Sequence, residues 1–143
     1  MTIATVTTDI NIGPFKIPAN AQNMIMNNYA QRNNLAVELV IPEPFKSNAL
    51  ETVRWLHADI KLSKIIFSSI YQLPKEKKWI NKLIKDLGNN VEFHFAIEGI
   101  KGRGKKFLKN CIKEVKLFEK TKIIDSDKAK WTTLFKMINN KKK

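Results

Sequence analysis

Cysteine is almost missing: Cys111 stands alone among 143 residues, so neither an intrachain disulfide nor a cysteine-based metal cluster can form. Long apolar runs are missing as well. The richest stretch, Leu62 to Leu73, is broken by Lys64, Ser68 and Ser69 and falls short of the ~18 consecutive apolar residues that a membrane span needs. The first residues, MTIATVTTDI, show no basic segment leading into an apolar core and a small-residue cleavage site, so no secretory signal is expected and a cytoplasmic location is. Arginine is scarce too, with Arg32, Arg54 and Arg103 the only three among 26 basic residues. Because Arg is the side chain that grips phosphate and guanine with a planar fork, its scarcity argues against sequence-specific reading of DNA.

What is present describes a globular chain. Hydrophobic residues make up 43% and charged residues 27%, near the average for a folded domain, and the length suits one core. The charge is lopsided. Residues 1–60 carry 4 basic and 5 acidic groups, net −1, whereas residues 61–143 carry 22 and 8, net +14. A lysine-rich half can bind a polyanion by releasing counterions from nucleic acid or anionic lipid. The competing reading is a solvated lysine face in a chain whose composition as a whole is rich in Lys and Asn.

The hydrophobic pattern alternates between periods of two and 3.6 residues. Strands are expected at residues 3–8, 35–41, 64–70 and 91–98, where β-branched and aromatic residues cluster. Helices are expected between them. Ala21, Met24, Ile25 and Tyr29 recur at helical spacing, as do Leu50, Val53, Leu56 and Ile60 behind Ser47 as a cap. Pro42 and Pro44 are expected to end the second strand, and Pro74 to open the helix of Trp79, Ile80, Leu83, Ile84 and Leu87, with Gly88 as its stop. Phe107, Leu108, Cys111, Ile112, Val115 and Phe118 stripe a basic helix, and Trp131, Leu134, Phe135 and Ile138 mark a last one. Alternating strands and helices predict a three-layer α/β fold: a parallel sheet of about four strands with helices on both faces, resolvase-like or flavodoxin-like, plus C-terminal helices. The expected division is an α/β domain over residues 1–122 and a C-terminal helix with a basic tail over 123–143.

In such sheets ligands sit beyond the carboxyl ends of the strands, near the point where strand order reverses. That rule selects Thr7, Thr8 and Asp9, then Ser68, Ser69, Tyr71 and Gln72, then Glu98 and the loop after it. Each also has an ordinary use, since hydroxyls and amides often serve as turn and cap residues. The segment GIKGRGKK, residues 99–106, resembles the phosphate loop of P-loop hydrolases, but Lys106 stands where a magnesium-binding Ser or Thr belongs. Hydrolysis of ATP or GTP is therefore not expected. A simpler anion site remains, in which Arg103, Lys105 and Lys106 with backbone N–H groups hold a phosphate or a sugar-nucleotide diphosphate. His94 lies mid-strand with Glu92 and Ala96 on its face, and a half-buried role is its default. His57 lacks ligands at metal spacing, and neither a metal nor a cofactor is expected.

Laid in order, these segments resemble two families. IATVTT, the helix AQNMIMNNYAQRNN, and SSIYQLPKEKKWINKLIKDLGNNVEFHFAIEGI are similar to the catalytic domain of serine recombinases, the resolvases, over about residues 3–118. Where that family has its serine nucleophile this chain has Thr7; its first active-site Arg is Thr5, its Asp-Arg pair is Tyr71 and Gln72, and its next Arg is Lys75. The resemblance implies the scaffold without strand exchange, because the groups that stabilise the scissile phosphate are gone. A second and closer resemblance is to the sporadic carbohydrate cluster protein family of bacterial surface-glycan gene clusters. It rests on Ile17, Pro18, Gln22, Asn23, Ser69, Tyr71, Leu73, Pro74, His94, Phe95, Ala96 and Glu98, over about residues 4–100. That resemblance implies a pathway and no particular reaction.

The leading expectation is thus a protein of bacterial surface-carbohydrate biosynthesis that binds or modifies a sugar or sugar-nucleotide. Thr7, Thr8, Gln22, Ser69, Tyr71, Gln72, His94 and Glu98 are expected to line its mouth, the first three with Ser69 and Gln72 as ligand contacts. Glu98 is the candidate general acid or base, Tyr71 a hydrogen-bond donor to a developing oxyanion, and His94 the third catalytic candidate. The alternative is a noncatalytic nucleic-acid-binding protein that uses the lysine-rich half. A homodimerising scaffold that holds another pathway enzyme through the stripe of Phe107, Cys111, Val115 and Phe118 is a further option, against which the helix from Trp131 to Ile138 would supply cover within one chain.

Overall fold

β-Branched residues open the chain, and in the computed structural model Thr2–Thr8 forms the central strand β1, buried from Ala4 onward. The structure describes residues 2–9, 12, 16–43, 49–88, 90–118 and 120. The Ser47 cap, the helix of Trp131 to Ile138 and the expected C-terminal unit lie outside the described residues. After β1 come α1 (Ala19–Arg32), β2 (Leu39–Glu43), α2 (Glu51–Ile60), β3 (Leu62–Phe67), a 3₁₀ turn (Ile70–Gln72), α3 (Lys77–Leu87), β4 (Glu92–Phe95) and β5 (Ile100–Arg103). A helix over residues 104–118, α4, completes the described part.

The strands form one sheet in the order β2-β1-β3-β4-β5. The first four are parallel, as expected, and β5 runs antiparallel at the edge. The chain moves to one side of β1 to make β2 and to the other to make β3, so strand order reverses between β1 and β3. Ala4, Val6, Ile65, Phe67, Phe93 and Phe95 form one apolar face, covered by Val53 of α2, Ile80, Leu83 and Leu87 of α3, and Leu108, Cys111, Ile112 and Val115 of α4. Burying each of these large side chains is worth about 1.5–3 kcal/mol. The opposite face carries Ile66 and Ala96 under Met26, Tyr29 and Ala30 of α1. This is the expected α/β fold with helices on both faces, and among the described residues no helix is long and apolar enough to cross a membrane.

Five boundaries differ from expectation, and the fourth expected strand, 91–98, shortens to Glu92–Phe95, leaving Glu98 in the turn that follows. Leu35 is not in a strand: its N–H closes the end of α1 on Ala30 O at 2.8 Å, and Leu35 and Val37 pack beneath α1. β2 then continues through Pro42, which pairs with Thr7; an edge strand tolerates a residue that cannot donate. β3 ends at Phe67, and Ile70 belongs to the 3₁₀ turn. Pro74 precedes α3, whose first residue is Lys77.

The largest difference is at residues 99–106, expected as a phosphate loop and found as a turn, a strand and a helix start. Two of its glycines have packing explanations. A Cβ on Gly102 would lie 2.4 Å from the Phe107 ring, and Gly104 holds a φ of +88°, where the chain swings from β5 into α4.

Candidate functional site

The sheet brings the carboxyl ends of β1 and β3 side by side, and the polar residues there bind one another. Gln22 is fully buried. Its Oε1 accepts from Thr8 N at 2.8 Å while its Nε2 donates to Thr8 O at 2.7 Å and Ile17 O at 2.8 Å. Gln72 does the same for the neighbouring strand, accepting from Ser68 N at 2.6 Å and Ser69 N at 3.3 Å and donating to Val6 O at 3.1 Å. A primary amide suits this task because it presents a donor and an acceptor in one plane to the two groups of an exposed backbone edge. Thr7 is buried at the end of β1.

Glu98 reaches the same rim from the turn after β4. Its Oε2 accepts from Ser69 Oγ at 2.8 Å and its Oε1 from Ile70 N at 2.7 Å, so this half-buried carboxylate is held rigidly by two donors. Ser69 Oγ in turn accepts from Tyr71 N at 3.2 Å. Tyr71 packs edge-on against Phe118 of α4, with ring centroids 4.9 Å apart. Burial, then the nearby Glu98 and Glu114 carboxylates, raise its phenol above the usual value. Of the eight residues expected to line one mouth, Thr7, Thr8, Gln22, Ser69, Tyr71, Gln72 and Glu98 do gather at this end. Gln22, Gln72 and Glu98 are occupied in clamping the backbone.

His94 is not among them. It lies under α1 on the opposite face from the Phe67 core, with Nδ1 2.8 Å from Tyr29 Oη and Nε2 2.6 Å from Glu92 Oε1. Burial outweighs the pull of Glu92 and lowers its pKa, so the ring is neutral at pH 7. Burial opposes ionisation of Glu92, yet the hydrogen bond from His94 and the Lys64 and Arg103 cations prevail and hold its carboxyl below the usual range. An ionised Glu92 fixes the tautomer: Nε2–H donates to the carboxylate and Tyr29 O–H donates to Nδ1. Tyr29 itself is pushed up by burial and by Glu92 and keeps its proton. The result is a hydroxyl–imidazole–carboxylate chain whose outer member, Tyr29, is a neutral donor.

An open cleft of about 410 Å³ adjoins that chain, lined by Tyr29, Arg32 and Asn33 of α1 and its C-terminal turn, Ala96, Ile97 and Gly99 of the turn after β4, and Lys101 of β5. Among the described residues two cations and no carboxylate face it. Sequence patterns had shown Tyr29 only as part of an apolar helical stripe; the missed signal is that its stripe faces the strand positions of Ala96 and His94, which share one side by alternation.

The expected phosphate group does not share this site. β5 is antiparallel to β4, with Phe95 opposite Ile100 and Glu92 opposite Arg103, so Arg103 sits three residues, about 10 Å, down toward the amino ends of the parallel strands. There it lies 3.5 Å from Glu92. Lys105 and Lys106 follow on the first turn of α4, exposed. Among the described residues no group of His, Cys, Asp or Glu could hold a metal ion.

Neither a family model nor a curated protein matches the chain. Among solved structures, a resolvase family site-specific recombinase from Streptococcus pneumoniae is similar, with a TM-score of 0.53 and 12% identity over 100% of this chain and 99% of that one. The fold is therefore resolvase-like. At that identity the similarity extends to the fold alone.

Proposed function

We propose that this is a resolvase-fold protein of bacterial surface-carbohydrate biosynthesis that binds a phosphorylated sugar or sugar-nucleotide in the cleft between α1 and the β4–β5 turn. The observation that carries the reading is the lining of that cleft: Arg32 and Lys101, with no counter-charge among the described residues that line it, beside the phenol of Tyr29 and the Asn33 amide. Cations answer a phosphate, while a neutral phenol and an amide answer sugar hydroxyls. The resemblance of Gln22, Ser69, Tyr71, His94 and Glu98 to the sporadic carbohydrate cluster pattern supplies the pathway. None of those residues lines the cleft; in this reading Gln22, Ser69 and Glu98 brace the strand ends and His94 holds Tyr29 in place, and none performs chemistry. Strand exchange is not part of it, since Thr7 and Thr5 stand at the positions of the recombinase serine and arginine.

The test is calorimetric titration with a panel of sugar nucleotides and hexose phosphates. Binding that survives moderate salt and is lost in the Arg32→Ala, Lys101→Ala double variant supports the reading; binding unchanged in that variant rejects it.

One observation favours a second reading, nucleic-acid binding without catalysis. Lys77, Lys78, Lys82 and Lys85 of α3 and Lys105, Lys106, Lys109, Lys113 and Lys116 of α4 are all exposed, and both helices cover the same face of the sheet.

A further inference from the structure

At the amino end of the sheet, away from the site above, two clefts of about 370 Å³ each share His57, Lys61 and Asn90; Trp55 and Asp86 line one of them, Ser63 and Arg103 the other. His57 is 8% exposed. Its Nδ1 accepts from Leu62 N at 3.0 Å, which places the ring proton on Nε2, and Nε2 has no partner among the described residues. Burial, reinforced by Lys61, lowers the pKa of this histidine, so Nε2–H is a neutral donor at pH 7. Lys61 holds a left-handed backbone, φ 53° and ψ 84°, a strained conformation for a residue with a side chain. Trp55 is 68% exposed on α2, an unusual position for so large an aromatic surface.

These features divide into an anion-holding half and a flat half. Lys61, the His57 donor and Arg103, whose exposed guanidinium meets Glu92 at 3.5 Å through one nitrogen and keeps its other N–H groups, can surround a phosphate. The indole of Trp55 offers a face on which a planar ring can stack. Its acceptors for sugar hydroxyls are few: the one carboxylate, Asp86, is engaged by Arg54 at 3.4 Å, Ser63 Oγ donates to Thr2 O at 3.2 Å, and the Asn90 amide is the chief one left. A nucleobase, with a π-face and few polar edges, matches it better than a saccharide. We propose that this amino-end groove binds a nucleoside phosphate, with the base on Trp55 and the phosphate at His57, Lys61 and Arg103.

The experiment titrates the full chain with AMP, GMP, CMP and UMP while following tryptophan fluorescence, and repeats each titration by calorimetry. Stacking on Trp55 should quench the emission. The quench should vanish in Trp55→Leu, and calorimetry should show affinity about tenfold weaker in Arg103→Ala, about the change expected for one lost charged contact. Both side chains are largely exposed, so both variants should fold. Arg32→Ala with Lys101→Ala should leave the quench intact, which separates this groove from the α1 cleft. The proposal is overturned by no response to any of the four up to about 5 mM, a binding energy weaker than most specific sites give. A quench that persists in Trp55→Leu overturns it, and so does binding abolished by the Arg32, Lys101 pair alone. Capture of a single-stranded oligonucleotide but of no mononucleotide also overturns it, in favour of a strand-binding surface.

Discussion

Gln72 is the residue whose replacement best separates a clamp from a ligand contact. It is 3% exposed and its amide satisfies Ser68 N, Ser69 N and Val6 O. Gln72→Leu preserves the volume and removes all three bonds. Each buried backbone group left without a partner costs about 1–3 kcal/mol, so the variant should lose about 3–9 kcal/mol. A chain of this size has about 5–15 kcal/mol in total, and at about 2–4 °C per kcal/mol even the lower figure should drop the melting temperature by about 6–12 °C. Urea unfolding would measure the loss, and an unchanged m-value would show that the denatured state is the same. A loss below about 1 kcal/mol would refute the reasoning, since it would mean that these N–H groups find other partners at no cost. If ligand binding vanished while stability held, Gln72 would be a contact residue and not a clamp.

Gly102→Ala should destabilise by about 1–3 kcal/mol in the same urea assay, because the new methyl would meet the Phe107 ring. Tyr29→Phe should cost about 1 kcal/mol for the lost bond to His94 Nδ1, and calorimetry should show weaker binding at the α1 cleft. Stability should fall as the pH drops below the usual histidine range. His57 and His94 are both lowered, chiefly by burial, so near and below pH 6.5 the unfolded chain binds protons that the native one refuses. Their contribution is complete above 6.5 and lost as pH falls through the lowered native values; thermal melts at pH 7.5 and 5.5 should show the drop, and replacing both histidines by Gln should flatten it. If the lysines of α3 and α4 grip nucleic acid, log Kobs should fall with log salt at a slope of about −0.9 per phosphate contacted, and a flat dependence removes that reading.

Which parts of this molecule could be read from the chain follows from the range of the interactions involved. β1 and α3 announce themselves locally, by β-branching in IATVTT and by the spacing of Ile80, Leu83 and Leu87. Leu35 and Val37 looked like strand because an apolar run has no period that tells a sheet from the underside of a helix. β5 was invisible for the opposite reason. IKGR has little strand character, and it is a strand because β4 lies beside it and Gly102 lets Phe107 close over it. The rule that ligands gather beyond strand ends selects Ser69, Gln72 and Glu98, which do converge there, and Gln22, singled out by the family resemblance, lies beside them. It could not show that they would face one another, because that depends on contacts such as Gln72 with Val6, 66 residues apart, and Tyr29 with His94, 65 apart. A polar side chain at a strand end satisfies either a ligand or the backbone, and only the fold decides which. Here the buried amides went to the backbone. The cations of the α1 cleft and Nε2 of His57 have no partner among the described residues, and these are the groups from which binding should be sought first.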